Sequence, residues 1–364
     1  MIYLDYQATA PLAPEALDAM LPWLRDGHAN PHSAHAPGRH ARAAVEAARA
    51  EILRLLPPGG RLAFTGGATE ALNWAIKGTV GPIVTLATEH AAVLDTVIAE
   101  RNRGREVVIL PVNGSGLVDL EHAAAAIRPG TGLVAAMLVN NEIGVVQPIA
   151  ALADLARGAG ALMLCDASQG YGRVPISDGC DLVAISAHKV HGPKGIGALW
   201  LRDCVVLQPL LEGGGQEAPG RSGTLSPALC AGFGEAARLM HARAGEDQGH
   251  VGGLWQAALD RLGPAWLLNG SAAQRYRGNL NVRRPGLDVA RLMSDVRGIA
   301  FSAGSACASG SGRPSHVLRA IGLSDAEARA SIRLGFGRYT DKAELLEAID
   351  QINDAADLQT RFAA

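Results

Sequence analysis

The stretch Leu182-Val183-Ala184-Ile185-Ser186-Ala187-His188-Lys189 carries four apolar residues and a serine directly into a histidine and a lysine. A short, uninterrupted apolar run of this kind reads as a strand covered on both faces, as in the parallel sheet of an α/β protein. Its polar end then falls at the carboxyl edge of the sheet, where ligands gather in open α/β folds. Working outward, similar runs predict strands over 83–86, 107–112, 133–139, 162–165 and 197–201, with helices between them such as 91–101 and 149–157. From about Leu62 to Arg202 this is the rhythm of a doubly wound α/β domain.

Beyond it, an amphipathic segment over 227–243 leads into Ala244-Gly245-Glu246-Asp247-Gln248-Gly249, whose polarity predicts a linker. Helix and strand signals around 255–262, 280–282, 289–296 and 332–336, closed by a helix near 345–352, imply a smaller α+β domain. The expected division is a large domain over 15–245 and a small one built from 1–14 and 246–364.

The chain has 364 residues, 48% of them hydrophobic, and a formal net charge of -2. That size supports a large domain plus a smaller one with their own cores. The near-neutral charge and the lack of a dense Lys/Arg run argue against direct nucleic-acid or acidic-lipid binding. No apolar run approaches the ~20 residues of a membrane span, and Met1-Ile2-Tyr3-Leu4-Asp5 is not the start of a secretory signal, so a cytoplasmic location is expected. Cys165, Cys180, Cys204, Cys230 and Cys307 include no close pair, which predicts neither disulfides nor a metal site.

Three segments carry the chemistry. In Thr65-Gly66-Gly67-Ala68-Thr69-Glu70, glycines and small residues open a helix whose free N–H groups can face a phosphate, or merely cap it. In Leu162-Met163-Leu164-Cys165-Asp166, an apolar strand ends in a carboxylate with Gln169 one turn later. Such an Asp either caps the next turn or holds a protonated ring nitrogen, the role that lets pyridoxal phosphate (PLP) act as an electron sink. In the third segment Lys189 is the best placed of only four lysines. Lys77 reads as a helix C-terminal cation, Lys342 as the exposed start of the last helix and Lys194 as part of a Gly-Pro-Lys-Gly turn. A Schiff-base lysine must be rigid and partly desolvated, and Ser186 and His188 flank Lys189 as phosphate donors.

Cys307 sits in Gly304-Ser305-Ala306-Cys307-Ala308-Ser309-Gly310, a small, polar, glycine-rich stretch that predicts an exposed mobile loop. Cysteine is normally buried, so a thiol there is a candidate nucleophile, whereas the other four read as inert residues in apolar or strand contexts. His90, after Thr88-Glu89 at a strand end, is either a stacking and proton-shuttling group or a capping one. Arg333 falls in a predicted buried strand, where it should meet a carboxylate of the protein or of a substrate by bidentate pairing.

In this order the segments resemble the class V aminotransferase-like enzymes, and within them the group I cysteine desulfurases of the NifS/IscS type. The resemblance runs nearly end to end, through Tyr3-Leu4-Asp5-Tyr6, Ala8-Thr9, Asn30-Pro31, Gly67-Ala68-Thr69-Glu70, Thr88-Glu89-His90, Asn140-Asn141-Glu142, Asp166-Ala167-Ser168-Gln169, Ser186-Ala187-His188-Lys189, Arg221-Ser222-Gly223-Thr224 and Gly304-Ser305-Ala306-Cys307. It implies the PLP-dependent transferase fold of type I, with a mostly parallel sheet flanked by helices. It also implies that Lys189 binds PLP, Asp166 pairs with the ring nitrogen, Gln169 contacts the ring hydroxyl and His90 stacks on the ring. The phosphate would meet Ala68, Thr69, Ser186 and His188, with Thr224 entering from the other subunit of a homodimer. Asn141 and Arg333 would bind the carboxylate of L-cysteine.

Cys307 would take its sulfur as a persulfide and pass it to an acceptor or scaffold protein, in iron-sulfur cluster assembly or tRNA thiolation, with no metal needed. Gln216 stands where such enzymes often have His, and His191 where Tyr is common. The stretch ending at Ala364 is shorter than in housekeeping members, which bears on scaffold docking. The alternatives are a selenocysteine lyase or a transaminase of the same fold, and, from another class, a catalytically silent sulfur-carrier protein.

Overall fold

The computed structural model describes residues 1–217, 220–304 and 314–363. A short strand, β1 (Ile2–Tyr3), precedes the seven strands of the central sheet. These are β2 (Gly60–Thr65), β3 (Ile83–Leu86), β4 (Val107–Leu110), β5 (Leu133–Met137), β6 (Leu162–Asp166), β7 (Leu182–Ser186) and β8 (Gly197–Arg202). Their order is β2-β8-β7-β6-β5-β3-β4. Strands β3 to β7 pair in parallel, and β8 runs antiparallel to both its neighbours.

Successive side chains of a strand point to opposite faces, and both faces here are buried. Met163 and Cys165 of β6 pack into one core with Phe64, Leu152 and Phe233. Leu164 packs into the other with Leu72, Trp74 and Leu199. Each large side chain so buried contributes roughly 1.5–3 kcal/mol. Strands β4 and β5 end earlier than expected. Pro111 has no N–H for the ladder, and after Met137 the chain leaves the sheet toward Asn140 and Asn141. The first strand of the sheet, β2, begins with the polar pair Gly60-Arg61 and was not among the expected strands.

The second unit contains β9 (Leu267–Leu268), β10 (Asn279–Arg283), β11 (Ile299–Ala300), β12 (Ser302–Ala303) and β13 (Ser331–Gly335). Four of them form an antiparallel sheet in the order β12-β13-β10-β9, while β11 pairs in parallel with β1. Helices Ala244–Leu262 and Lys342–Ala363 cover this unit, and its core gathers Leu4, Trp255, Leu280, Ile332, Phe336 and Ile349. These separate cores support dividing the chain near residue 245, the division we propose.

Residues 244–249 are not a linker. They form the opening turns of the helix Ala244–Leu262, directly after the helix Pro227–Ala242. Their polarity reflects an exposed helix face with Glu246 and Asp247 in the first turn, where carboxylates complement the helix N-terminus. Asp247 also pairs with the buried Arg338 at 2.6 Å.

Candidate active site

A cavity of about 720 Å³ opens at the carboxyl edge of the parallel strands. His90 lies just beyond β3, Asn141 beyond β5, Asp166 ends β6 and Ser186 ends β7. His188 and Lys189 follow in the single turn Ala187–Lys189, while Ala68 and Thr69 begin the helix Ala68–Lys77. Arg333, from β13 of the second unit, closes the far side. Gln169 completes the lining from the turn after Asp166. Residues that span 68 to 333 in sequence therefore meet in one place because parallel strands bring their ends to one edge.

Lys189 directs its Nζ at two main-chain carbonyls, those of Gln7 at 2.5 Å and Ala8 at 2.9 Å. Burial, reinforced by the Arg333 and Arg173 guanidinium groups, pushes its amine down to about 8. Burial, with Lys189 and Lys194 nearby, holds His188 down to about 4, so that its ring is neutral at pH 7. The ring Nδ1 lies 3.2 Å from the Thr9 hydroxyl. His90 caps the helix Ala91–Asn102, its Nδ1 accepting from Ala92 N–H at 3.0 Å, and burial lowers its pKa although Asp166 opposes the shift. It is thus a cap and a cavity wall at once.

Asp166 likewise has two roles. Its Oδ1 accepts from the Ser168 N–H at 2.9 Å and hydroxyl at 2.5 Å, which closes the turn to Gln169. The Gln169 amide donates to the Gln7 carbonyl at 2.9 Å, leaving its buried Oε1 without a partner among the described residues. Such an orphaned acceptor is costly unless a ligand donates to it. The helix Ala68–Lys77 has Gly67 at its N-cap and no side chain bonded there, so its first N–H groups are available to an anion. An uncapped helix end, an orphaned amide oxygen, a strand-end carboxylate and a lysine held near neutrality fit the phosphate, hydroxyl, pyridine nitrogen and aldehyde of PLP.

Arg333, 1% exposed, meets the protein's own Asp5 at 2.7 Å through Nη2. Among the described residues its pairing with a protein carboxylate is through this one nitrogen and is not bidentate. Nη2 also donates to the Ser302 hydroxyl at 3.1 Å, while Nη1 donates to the Asn141 carbonyl at 3.0 Å, so the second nitrogen is already committed elsewhere. Removing one partner of a buried pair leaves an uncompensated charge, typically at a cost of about 3–5 kcal/mol. Asp5→Asn is expected to lower the denaturation free energy by about 3 kcal/mol and raise KM for the substrate, measurable by urea titration and steady-state kinetics. Asp5, Gln7 and Ala8 drew no role from the sequence. They reach the site because Asp5 bridges to Gly335 beside β13, a contact across the whole chain with no local signature.

Thr224 is exposed and does not line this cavity. Its loop is tied to the cavity rim by Arg221, which pairs with Glu70 at 2.9 Å, and is braced internally by Gln216, whose side-chain oxygen accepts from the Gly223 N–H at 2.7 Å. Cys307 lies in 305–313, outside the described residues. The chain enters that segment from β12, where Ser302 pairs with Arg333. It leaves at Ser315, bonded to Glu142, and at His316, whose Nε2 lies 2.9 Å from the carbonyl of Glu89. Both flanks are therefore fixed beside cavity-lining residues, Arg333 on one side and Asn141 and His90, the chain neighbours of Glu142 and Glu89, on the other.

Of the other cysteines, Cys165, Cys180 and Cys230 are buried. The Cys165 thiol is pushed well above its usual range, first by its contact with Cys180 and then by burial, and burial pushes Cys230 up to about 12. Cys204 departs from the expected apolar context: it is exposed, in the turn after β8 ends at Arg202.

His191 takes a left-handed backbone (φ 67°) and packs against the edges of Tyr6 and Tyr339, its Nδ1 2.9 Å from the Pro11 carbonyl. Burial is the first cause holding its imidazole down to about 4. The unfolded chain then binds a proton here below the ordinary value near 6.5 while the folded chain does not, so stability falls as pH drops through that window. Replacing it by Asn, which tolerates the left-handed region, should remove about 2 kcal/mol of the stability lost between pH 7 and pH 5, measured by urea titration at both.

Residues 2–347 match the family model described as aminotransferase class-V. The chain is 44% identical to a probable mitochondrial cysteine desulfurase of Schizosaccharomyces pombe, over 97% of this chain and 74% of that one. With the cysteine desulfurase IscS of Rickettsia bellii it shares 42% identity over 98% of this chain and 92% of that one. Among solved structures, a NifS-like protein from Rickettsia africae superposes with a TM-score of 0.88 at 30% identity, covering 97% of this chain and 99% of that one. The structure described as SspA in complex with cysteine does so with a TM-score of 0.84 at 34% identity, over 94% of this chain and all of that one. With the lysine, the strand-end carboxylate and the open helix end at one cavity, the chain belongs to the PLP-dependent class V aminotransferase family, among the IscS/NifS-like cysteine desulfurases.

Proposed function

We propose that this chain desulfurates L-cysteine, giving L-alanine and a persulfide on Cys307. The observation that carries the reading is the meeting of Lys189, Asp166 and Arg333 around one cavity sized for a cofactor and a small amino acid. Lys189 would hold PLP by its aldehyde carbon, Asp166 would accept from the ring N–H and Gln169 Oε1 from the ring hydroxyl. The open end of the helix Ala68–Lys77, with Thr69, Ser186 and His188, would hold the phosphate. His90 would stack on the ring. When bound, PLP supplies an electron sink that makes the substrate's Cα–H and C–S bonds labile.

The remaining steps belong to the chain's own residues. Arg333 and Asn141 orient the substrate carboxylate. Lys189, with its amine near 8, is half neutral at about that pH and takes and returns the proton at Cα. The Cys307 thiolate attacks the substrate sulfur, forming an S–S bond. The C–S bond breaks with its electron pair going to carbon, which takes up a proton and leaves as alanine.

The finer reading has Thr224 serving the partner's phosphate site in a homodimer. It also has a cytosolic protein passing sulfur to an acceptor protein. Supporting it are the fastening of the Thr224 loop to the phosphate-side rim and, among the described residues, the lack of any helix long and apolar enough to cross a membrane. Incubating the purified protein with L-cysteine and a thiol reductant, without any keto acid, tests the activity. Alanine and sulfide should appear in equal amounts, whereas a requirement for keto acid would make it a transaminase.

A further inference from the structure

A second cavity, of about 1120 Å³, lies on the other side of Arg173 from the lysine. Its walls are largely apolar, including Val118, Val146, Met240 and Val251, yet four arginines line it and Asp247 is its only acid among the described residues. Asp247 is taken by Arg338, at 2.6 Å. Arg173, Arg275 and Arg277 form no ion pair among the described residues.

Arg275 is the telling one. It is 9% exposed, and among the described residues its guanidinium reaches only the carbonyls of Ser271, Ile143 and Asn279, at 2.9, 2.7 and 3.3 Å, with the Trp255 ring at 4.4 Å. Among the described residues its Nε has no partner, and neither does Nη1 of Arg338. Burial pulls the Arg275 guanidinium down to about 9, the mark of a charge whose solvation has not been replaced. Buried charges are ordinarily paired, and a buried cation beside an apolar chamber is stabilised by an anion that brings its own apolar body. Arg173 connects the chamber to the active site, since its guanidinium donates to the carbonyls of Gln169, at 3.3 Å, and Lys189, and covers the face of Tyr276 at 5.2 Å.

We propose that this chamber binds a small organic anion with an apolar body, its charged group set against Arg275 and Arg277 and its apolar part against Val118 and Met240. The PLP-loaded protein is titrated with anilinonaphthalene sulfonate, followed by fluorescence and calorimetry, with decanoate, sulfate and L-cysteine as competitors at matched ionic strength. One saturable site per chain is expected, displaced by decanoate but by neither sulfate nor cysteine. Because Arg277 is exposed, Arg277→Glu should fold normally and weaken binding by at least about tenfold, as should Leu120→Glu at the half-exposed apolar rim. Absence of saturable binding, unchanged affinity in a folded Arg277→Glu, or displacement by cysteine would each overturn the assignment. Displacement by sulfate alone would overturn its apolar half.

Discussion

Lys189→Ala is expected to abolish cysteine desulfuration and covalent cofactor retention together. The amine has no carboxylate partner among the described residues. Its contacts are the Gln7 and Ala8 carbonyls, and burial with Arg333 and Arg173 pushes its pKa down to about 8. None of the other three lysines is so placed. Lys77 ends a helix, Lys342 begins one, and Lys194, though it lines the cavity, is exposed in a turn. Loss of a positioned acid–base group costs about a hundredfold to ten-thousandfold, and loss of the cofactor's anchor adds to that. Borohydride reduction followed by peptide mapping should find cofactor on the Lys189 peptide of the wild type and on no peptide of the variant. Cofactor trapped on Lys194 instead would move the chemistry to the adjacent turn.

Cys307→Ala should leave the cofactor and its visible absorbance in place while sulfide release from cysteine falls by about a hundredfold or more. The two variants separate the functions: one residue anchors the cofactor, the other receives the sulfur. Cys204 is the control. It is the exposed cysteine among the described residues, and Cys204→Ala should leave turnover unchanged. Undiminished sulfide release in Cys307→Ala, with loss in Cys204→Ala, would transfer the acceptor role.

The parts of the site legible in the sequence are those written in one short stretch. Asp166 and Lys189 stand out because an apolar strand runs directly into a polar residue, and strand ends in a parallel sheet share one edge. The helix end at Ala68 was legible as glycines before an apolar period. Contacts between distant segments were not. Nothing local marks Asp5 as the partner of Arg333 or the Gln7 carbonyl as a rest for Lys189, because β13 and the N-terminal segment become neighbours only after the second unit folds. Polarity also misled at 244–249, where an exposed helix face with acidic residues in its first turn has the composition of a linker. Cys204 was misjudged because the apolar Val205 and Val206 follow it, although β8 has already ended at Arg202 and Cys204 lies in an exposed turn.

The most direct measurement is a single turnover with the thiol reductant withheld. PLP-loaded protein is mixed with one equivalent of L-cysteine per active site, alanine is counted, and the Cys307 peptide is weighed by mass spectrometry after alkylation. Desulfuration by these residues gives one alanine per active site and one added sulfur on the Cys307 peptide, with none on the peptides carrying Cys165, Cys180, Cys204 or Cys230. Alanine formed while Cys307 stays unmodified, or sulfur found on another cysteine, would contradict it.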